Sequence, residues 1–134
     1  MLADPSLVPN AIDEILRFSP SIVAWRRRAN TETEVGGVTL PAQANLLLLM
    51  GSANRDEAVF EDGERLEVTR ENARAHLSLG FGIHYCLGAQ LAKLQMSIVL
   101  ETLPRRLPNL QLKPEQSFAF VPNASFRTPH ALLA

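Results

Sequence analysis

At 134 residues, 46% of them hydrophobic and 20% charged, the chain has the length and composition of one globular domain with a moderate core. Its formal net charge of -1 gives no electrostatic basis for a nucleic-acid partner, and the densest basic cluster is only Arg26-Arg27-Arg28. One cysteine excludes an intrachain disulfide, and the longest apolar run, Leu46 to Met50, is too short to span a bilayer, so the chain reads as soluble and cytoplasmic.

Met1 to Asn10 holds an acid and two prolines and no apolar core, which does not read as a signal peptide. Asn10 is placed to cap a helix, with Asp13 three residues on, and Ala11, Ile12, Ile15, Leu16 and Phe18 form an apolar stripe that Pro20 ends. A helix is therefore predicted over Ala11 to Phe18. Ile22 to Trp25, Thr33 to Val38 and Asn45 to Met50 read as short strands around Gly36-Gly37 and Pro41, in small antiparallel ladders. A helical turn is predicted near Asn54 to Val59. The polar stretch Phe60 to Arg74 has no clear period, and long irregular loops in compact chains are often functional. After a glycine-rich segment, Leu79 to Gly88, the positions Leu91, Leu94, Ile98, Val99 and Leu103 predict a helix over Ala89 to Leu103, closed by Pro104. Leu110 to Leu112 and Phe118 to Val121 carry weak strand signals.

The informative stretch is Gly80-Phe81-Gly82-Ile83-His84-Tyr85-Cys86-Leu87-Gly88. Its three glycines allow positive φ and close backbone approach. A cysteine just ahead of a helix feels the positive end of the helix dipole, which favours the thiolate that binds metals or attacks electrophiles. Loop N–H groups are available to point at the sulfur. A dinucleotide G-x-G-x-x-G fails because Tyr85 occupies the third glycine position. Zinc is poorly served by Cys86 and His84 alone, and a cysteine nucleophile would need His76 or His130, which no spacing supports. Equally, Cys86 reads as a small buried hydrophobe.

The pattern G-x-G-x-H-x-C-x-G running into a helix resembles the haem-binding signature of the cytochrome P-450 family. Glu14-Ile15-Leu16-Arg17 resembles that family's E-x-x-R helix, and Ala53 to Arg65 its meander. The three pieces fall in the family's order, and about Ala11 to Leu133 aligns with the last third of a bacterial-type member. The resemblance implies a mainly α fold with small β-sheets (α+β), the C-terminal portion of the cytochrome P-450 fold. It further implies a single haem-binding portion over residues 1–134, with the family's distal helix and N-terminal part absent.

What the resemblance implies for individual residues is specific. Cys86 matches the axial ligand of the iron of haem b (iron protoporphyrin IX), where a thiolate pushes electron density onto the metal. Gly80, Gly82, Gly88 and Leu79 complete the cofactor loop, and His84 and Arg27 match positions that contact haem propionates. Glu14 and Arg17, one helical turn apart, match two members of a buried ion-pair trio with Arg65 as the third. Without the other motifs that pair would read as a surface pair of little worth. Ser21 to Trp25 and Asn123 to Ser125 correspond to substrate-pocket segments, and Lys93 to a redox-partner face, although core and solvent roles serve these residues as well. The implied activity is insertion of one oxygen atom from O2 into a small organic substrate, with electrons from a ferredoxin or flavoprotein. The alternative is a non-catalytic remnant that binds haem weakly or needs a partner chain, such as the missing N-terminal part. Three positions depart from the family pattern: Leu79 replaces a phenylalanine, Gln43 a glycine and Leu133 a proline.

Overall fold

The computed structural model describes residues 4–134. The first part of the reading of Met1 to Asn10, at residues 1–3, lies outside the described residues. A 3-10 turn, Pro5–Leu7, capped by the Asp4 carboxylate on Ser6 N–H, leads into helix α1, Val8–Phe18. The predicted Asn10 cap is therefore corrected. Proline at the second helical position costs no hydrogen bond, so the helix starts earlier, and Asn10 lies inside it. Its Nδ2 instead donates to the carbonyls of Val68 and Arg70, at 2.8 and 3.0 Å.

Strands β1 (Trp25–Arg28) and β4 (Asn45–Leu48) pair antiparallel, with Trp25 opposite Leu48 and Arg28 opposite Asn45. Nested between them is the hairpin of β2 (Thr33–Val35) and β3 (Val38–Leu40). Its turn takes Gly36 and Gly37 at φ +58° and +79°, which glycine alone adopts freely, and this splits the single strand expected over Thr33 to Val38. The strand expected at Ile22 to Trp25 is displaced onto the arginines. Ser21–Val23 instead pairs with the C-terminal segment: Val23 N–H donates to Ser125 and Arg127 N–H to Ser21. Gln43 adopts φ +68°, so the non-glycine residue there carries a left-handed backbone costing roughly 1–2 kcal/mol.

Helix α2 spans Met50–Ala53 and ends where the Asn54 carbonyl accepts from Arg17; the turn expected near Asn54 to Val59 follows, with Phe60 N–H donating to the Asp56 carbonyl at 2.7 Å. Phe60 to Asn72 has no helix or strand, and a 3-10 turn, Ala73–Ala75, takes up the end of the stretch expected to be irregular. The longest helix, α3, spans Ala89–Arg106. Pro104 does not close it: near a helix end it removes one bond, and Leu107 N–H still donates to the Leu103 carbonyl. No strand forms at Leu110 to Leu112. Phe118 to Val121 reduces to one bridge, Phe120 to Pro129, since Pro122 and Pro129 have no N–H to extend a ladder. Leu133 N–H donates to Gln116 Oε1, a bond that proline could not make.

The largest fully buried side chains are Arg17, Phe60, Glu14 and Asn54. By contrast Leu91, Leu94, Ile98 and Val99 on α3 are all exposed, and only Ala89 of that helix is buried. No helix among the described residues is long and apolar enough to cross a membrane.

Candidate functional site

The site is built on a buried guanidinium. Arg17 lies three residues after Glu14 on α1, so the two side chains share a face and meet in a fork: Nε to Oε2 at 2.7 Å and Nη2 to Oε1 at 2.8 Å. The remaining N–H groups of Arg17 reach three backbone carbonyls of the loop, Asn54 (2.7 Å), Gly63 (2.8 Å) and Arg65 (2.8 Å). All five guanidinium donors are thus satisfied, which is what makes complete burial of the charge tolerable. Phe60 stacks on it, its ring centroid 5.2 Å away. Glu14 Oε1 also accepts from Glu67 N–H and from Arg70 Nε. Burial pushes the Glu14 carboxyl up, but the bonds from Arg17, Glu67 N–H and Arg70 outweigh it and hold it below its ordinary value.

The third cation is a correction to the expected trio. The Arg65 guanidinium is 70% exposed and lies 3.3 Å from Glu67, turned away from Glu14. Arg70 is buried against Glu14 at 3.3 Å, and its other nitrogens donate to the carbonyls of Glu61, Asp62 and Arg65. Arg65 contributes its carbonyl to the cluster instead. The reason is the path of the loop. Gly63 packs so closely that a Cβ there would stand 2.5 Å from the Arg55 carbonyl oxygen, and the tight turn presents backbone, not side chain, to Arg17. Gly63, Asn54 and Arg70 carry no helical or motif spacing that would have singled them out.

The same core holds the approach to the cysteine loop. Asn54 Oδ1 accepts Leu77 N–H (2.7 Å), Asn54 Nδ2 donates to Ser78 Oγ (2.8 Å), and Ser78 Oγ donates to the Leu16 carbonyl on α1 (2.6 Å). Leu79 then gives its carbonyl to Cys86 N–H at 2.8 Å, pinning the loop across its base. Gly80 and Gly82 take φ +79° and +65°, and a Cβ on Gly80 would sit 3.1 Å from the His84 carbonyl oxygen. Gly88 has an ordinary φ of -84°, so its place does not depend on left-handed freedom. A 3-10 turn, Gly82–His84, sets Cys86 two residues before Gly88, the N-cap of α3. Cys86 is exposed, and no N–H among the described residues donates to its sulfur.

Cys86 opens onto a cavity of about 440 Å³ lined by Ile22, Trp25, Arg27, Leu79, Gly80 and His84, together with Met50 and Ser78. Arg27, Gly80 and His84 also line an adjoining cavity of about 300 Å³. Arg27 reaches it because residues two apart on a strand share a face: Trp25 and Arg27 point in, and Arg26 and Arg28 do not line it. Of the expected pocket segments, Ile22 and Trp25 line this cavity. Val23, Ala24 and Ala124 line a separate one, and Asn123 is spent on an Asx turn, its Oδ1 accepting Ser125 and Phe126 N–H. Lys93, expected on a partner-facing surface, bonds the buried Asp13 carboxylate at 2.5 Å, bracing α3 against α1. His76 lies 3.4 Å from the same carboxylate without forming a hydrogen bond through Nε2. Burial pushes its pKa down, and the pull of Asp13 does not offset that.

This geometry can be set beside known proteins. The cytochrome P-450 family model matches residues 1–126, and the chain belongs to that family. It is 44% identical over 123 residues to the Steroid C26-monooxygenase of Mycobacterium tuberculosis, covering 92% of this chain and 33% of that protein. To the 6-deoxyerythronolide B hydroxylase of Saccharopolyspora erythraea it is 46% identical over 109 residues, covering 81% and 27%. Among solved structures, cytochrome P-450 CREJ superimposes with a TM-score of 0.92 at 55% identity, over 98% of this chain and 33% of that one. The fold is accordingly α+β, a portion of the P-450 fold. The chain spans about a third of the length of the curated relatives it matches.

Proposed function

We propose that the chain forms the haem-thiolate seat of a monooxygenase, with Cys86 as axial ligand to the iron of haem b. The observation that carries this is the convergence of an exposed, unbonded sulfur, an apolar cavity wall and two basic side chains, Arg27 and His84, on one cavity. That donor set fits the group: soft sulfur for iron, apolar surface for the porphyrin face, and N–H donors for its anionic propionates. Bound there, haem supplies the activation of O2 for transfer of one oxygen atom to a small organic substrate. The protein's own contribution is positional. Leu79 O holds Cys86 N–H, Gly80 and Gly82 let the loop turn beneath the cavity, and Leu79 and Ile22 give the cavity apolar surface. Glu14, Arg17 and Arg70 keep the meander fixed behind it. Electrons come from a ferredoxin or flavoprotein, and the setting is cytoplasmic.

A second reading rests on a different observation. Phe81, Ile83 and Leu87 beside the cysteine, and the apolar positions of α3, are exposed, which suits a surface made to be covered by another polypeptide of the family's remaining length. On that reading the 134-residue chain alone is non-catalytic and holds haem weakly or only with a partner.

The test is spectroscopic. The full chain, reconstituted with iron protoporphyrin IX, reduced and exposed to carbon monoxide, is expected to give the red-shifted Soret band of thiolate ligation, and Cys86→Ser to abolish it. An unchanged spectrum in Cys86→Ser overturns the assignment. A thiolate band without substrate oxidation selects the second reading.

A further inference from the structure

We infer that Asn54 is a positioning residue for the cysteine loop, the link through which the buried Arg17 core sets the backbone that holds Cys86. This inference rests on the proposed role of Cys86. The segment Leu77–Leu79 belongs to no helix or strand, so its backbone has no ladder to hold it. Its carbonyls are nonetheless the supports of the loop: Leu77 O accepts Gly80 N–H at 2.9 Å and Leu79 O accepts Cys86 N–H at 2.8 Å.

Asn54 is what fixes that segment. It is completely buried, and it is bonded on three sides: its carbonyl to Arg17 Nη1, its Oδ1 to Leu77 N–H, its Nδ2 to Ser78 Oγ. Ser78 passes the connection on to Leu16 O of α1. One amide therefore ties three separated stretches of chain, the loop after α2, α1 and the run into Cys86. An ordinary buried asparagine satisfies itself locally. This one has both ends of its amide on consecutive residues of the segment whose carbonyls hold the loop at Gly80 and Cys86. No other side-chain type supplies a donor and an acceptor at that spacing with so short a stem. Without it, Leu77 N–H loses its acceptor and Ser78 Oγ loses its donor, keeping only the bond to Leu16 O, and Leu79 O is free to drift from Cys86 N–H.

Residue-resolved hydrogen–deuterium exchange on the full chain reads this directly and needs no haem. In Asn54→Ala the amides of Leu77 and Cys86 are expected to exchange about tenfold faster than in the wild type, while those of Ile15 and Leu16 in α1 change much less. Ser78→Ala, a milder cut in the same link, is expected to give the same selectivity with a smaller rise, and it decides the matter if Asn54→Ala does not fold. Cys86 and α1 amides accelerating together in the folded variants would overturn the inference, as would a wild-type chain in which Leu77 and Cys86 are unprotected. In haem-loaded protein, Asn54→Ala should retain pigment but lose much of the thiolate band with carbon monoxide, and full retention of that band would also overturn it. Selective exchange in the variants, beside a wild-type chain that never gives the thiolate band, would instead overturn the haem reading alone.

Discussion

Around Arg17, charged and amide side chains are sealed from water, whereas along α3 leucines, isoleucines and valines face it. The two regions invert the usual distribution of side chains, and for different reasons. Around Arg17 the polar core is closed: every guanidinium N–H has an acceptor within the chain, so burial of that charge leaves no bond unmade. The α3 face is open, with Leu91 and Leu94 at 60% and 56% exposure. One region is specified by hydrogen-bond geometry that closes on itself; the other leaves its apolar side chains facing water.

The sharpest way to break the comparison is at the ion pair. Arg17→Leu strips Glu14 of its fork and leaves the Asn54 and Gly63 carbonyls unbonded, and Glu14→Ala leaves a buried guanidinium without its carboxylate. Each is expected to cost on the order of 3–5 kcal/mol in urea denaturation and to abolish stable haem uptake. A Glu14→Ala chain with full haem content would count against the structural importance of the cluster.

A smaller effect is expected at Gly63. Alanine there meets the Arg55 carbonyl, and the forced backbone shift also moves the carbonyl that serves Arg17. A loss of about 1–3 kcal/mol is expected, measurable as a lower urea midpoint at unchanged slope. Were Gly63→Ala silent, the loop would be looser than its packing implies.

Acid should dissect the polar half in two steps. Both His76 and Glu14 have folded pKa values below their ordinary 6.5 and 4.5. Above pH 6.5 both contributions to stability are present. As pH falls below 6.5 the unfolded chain binds a proton at His76 that the folded chain resists, so stability declines. A second decline follows below 4.5, when unfolded chains protonate Glu14 and the paired native carboxylate does not. Denaturation followed across that range, with His76→Gln removing the upper step only, checks the assignment.

The least effect on stability is expected on α3. Leu94→Lys or Ile98→Glu removes no buried contact, so stability should shift by no more than about 0.5 kcal/mol. Self-association and dye binding by exposed apolar surface should nevertheless fall. A large destabilisation would mean that α3 is covered within the chain after all.

Local signals located the α1 and α3 helices, the irregular meander and the cysteine loop, because periodicity, glycine placement and motif order are properties of neighbouring residues. The family assignment followed from three such motifs. What they could not place were partners chosen across long separations. Arg65 and Arg70 are both arginines on one loop, and only the tight turn at Gly63 decided that Arg70 faces Glu14. Ile22 to Trp25 had the better strand composition, yet the C-terminal segment claimed Ser21–Val23 and left the ladder to the arginines. Asn10 looked like a cap until the carbonyls of Val68 and Arg70 drew its amide elsewhere. By itself the sequence determined where α1, α3 and the glycine-rich cysteine loop lie, since these follow from residue type and spacing. Only the tertiary structure decided which polar groups bury each other, because that depends on where the backbone brings its carbonyls, and no local pattern encodes it.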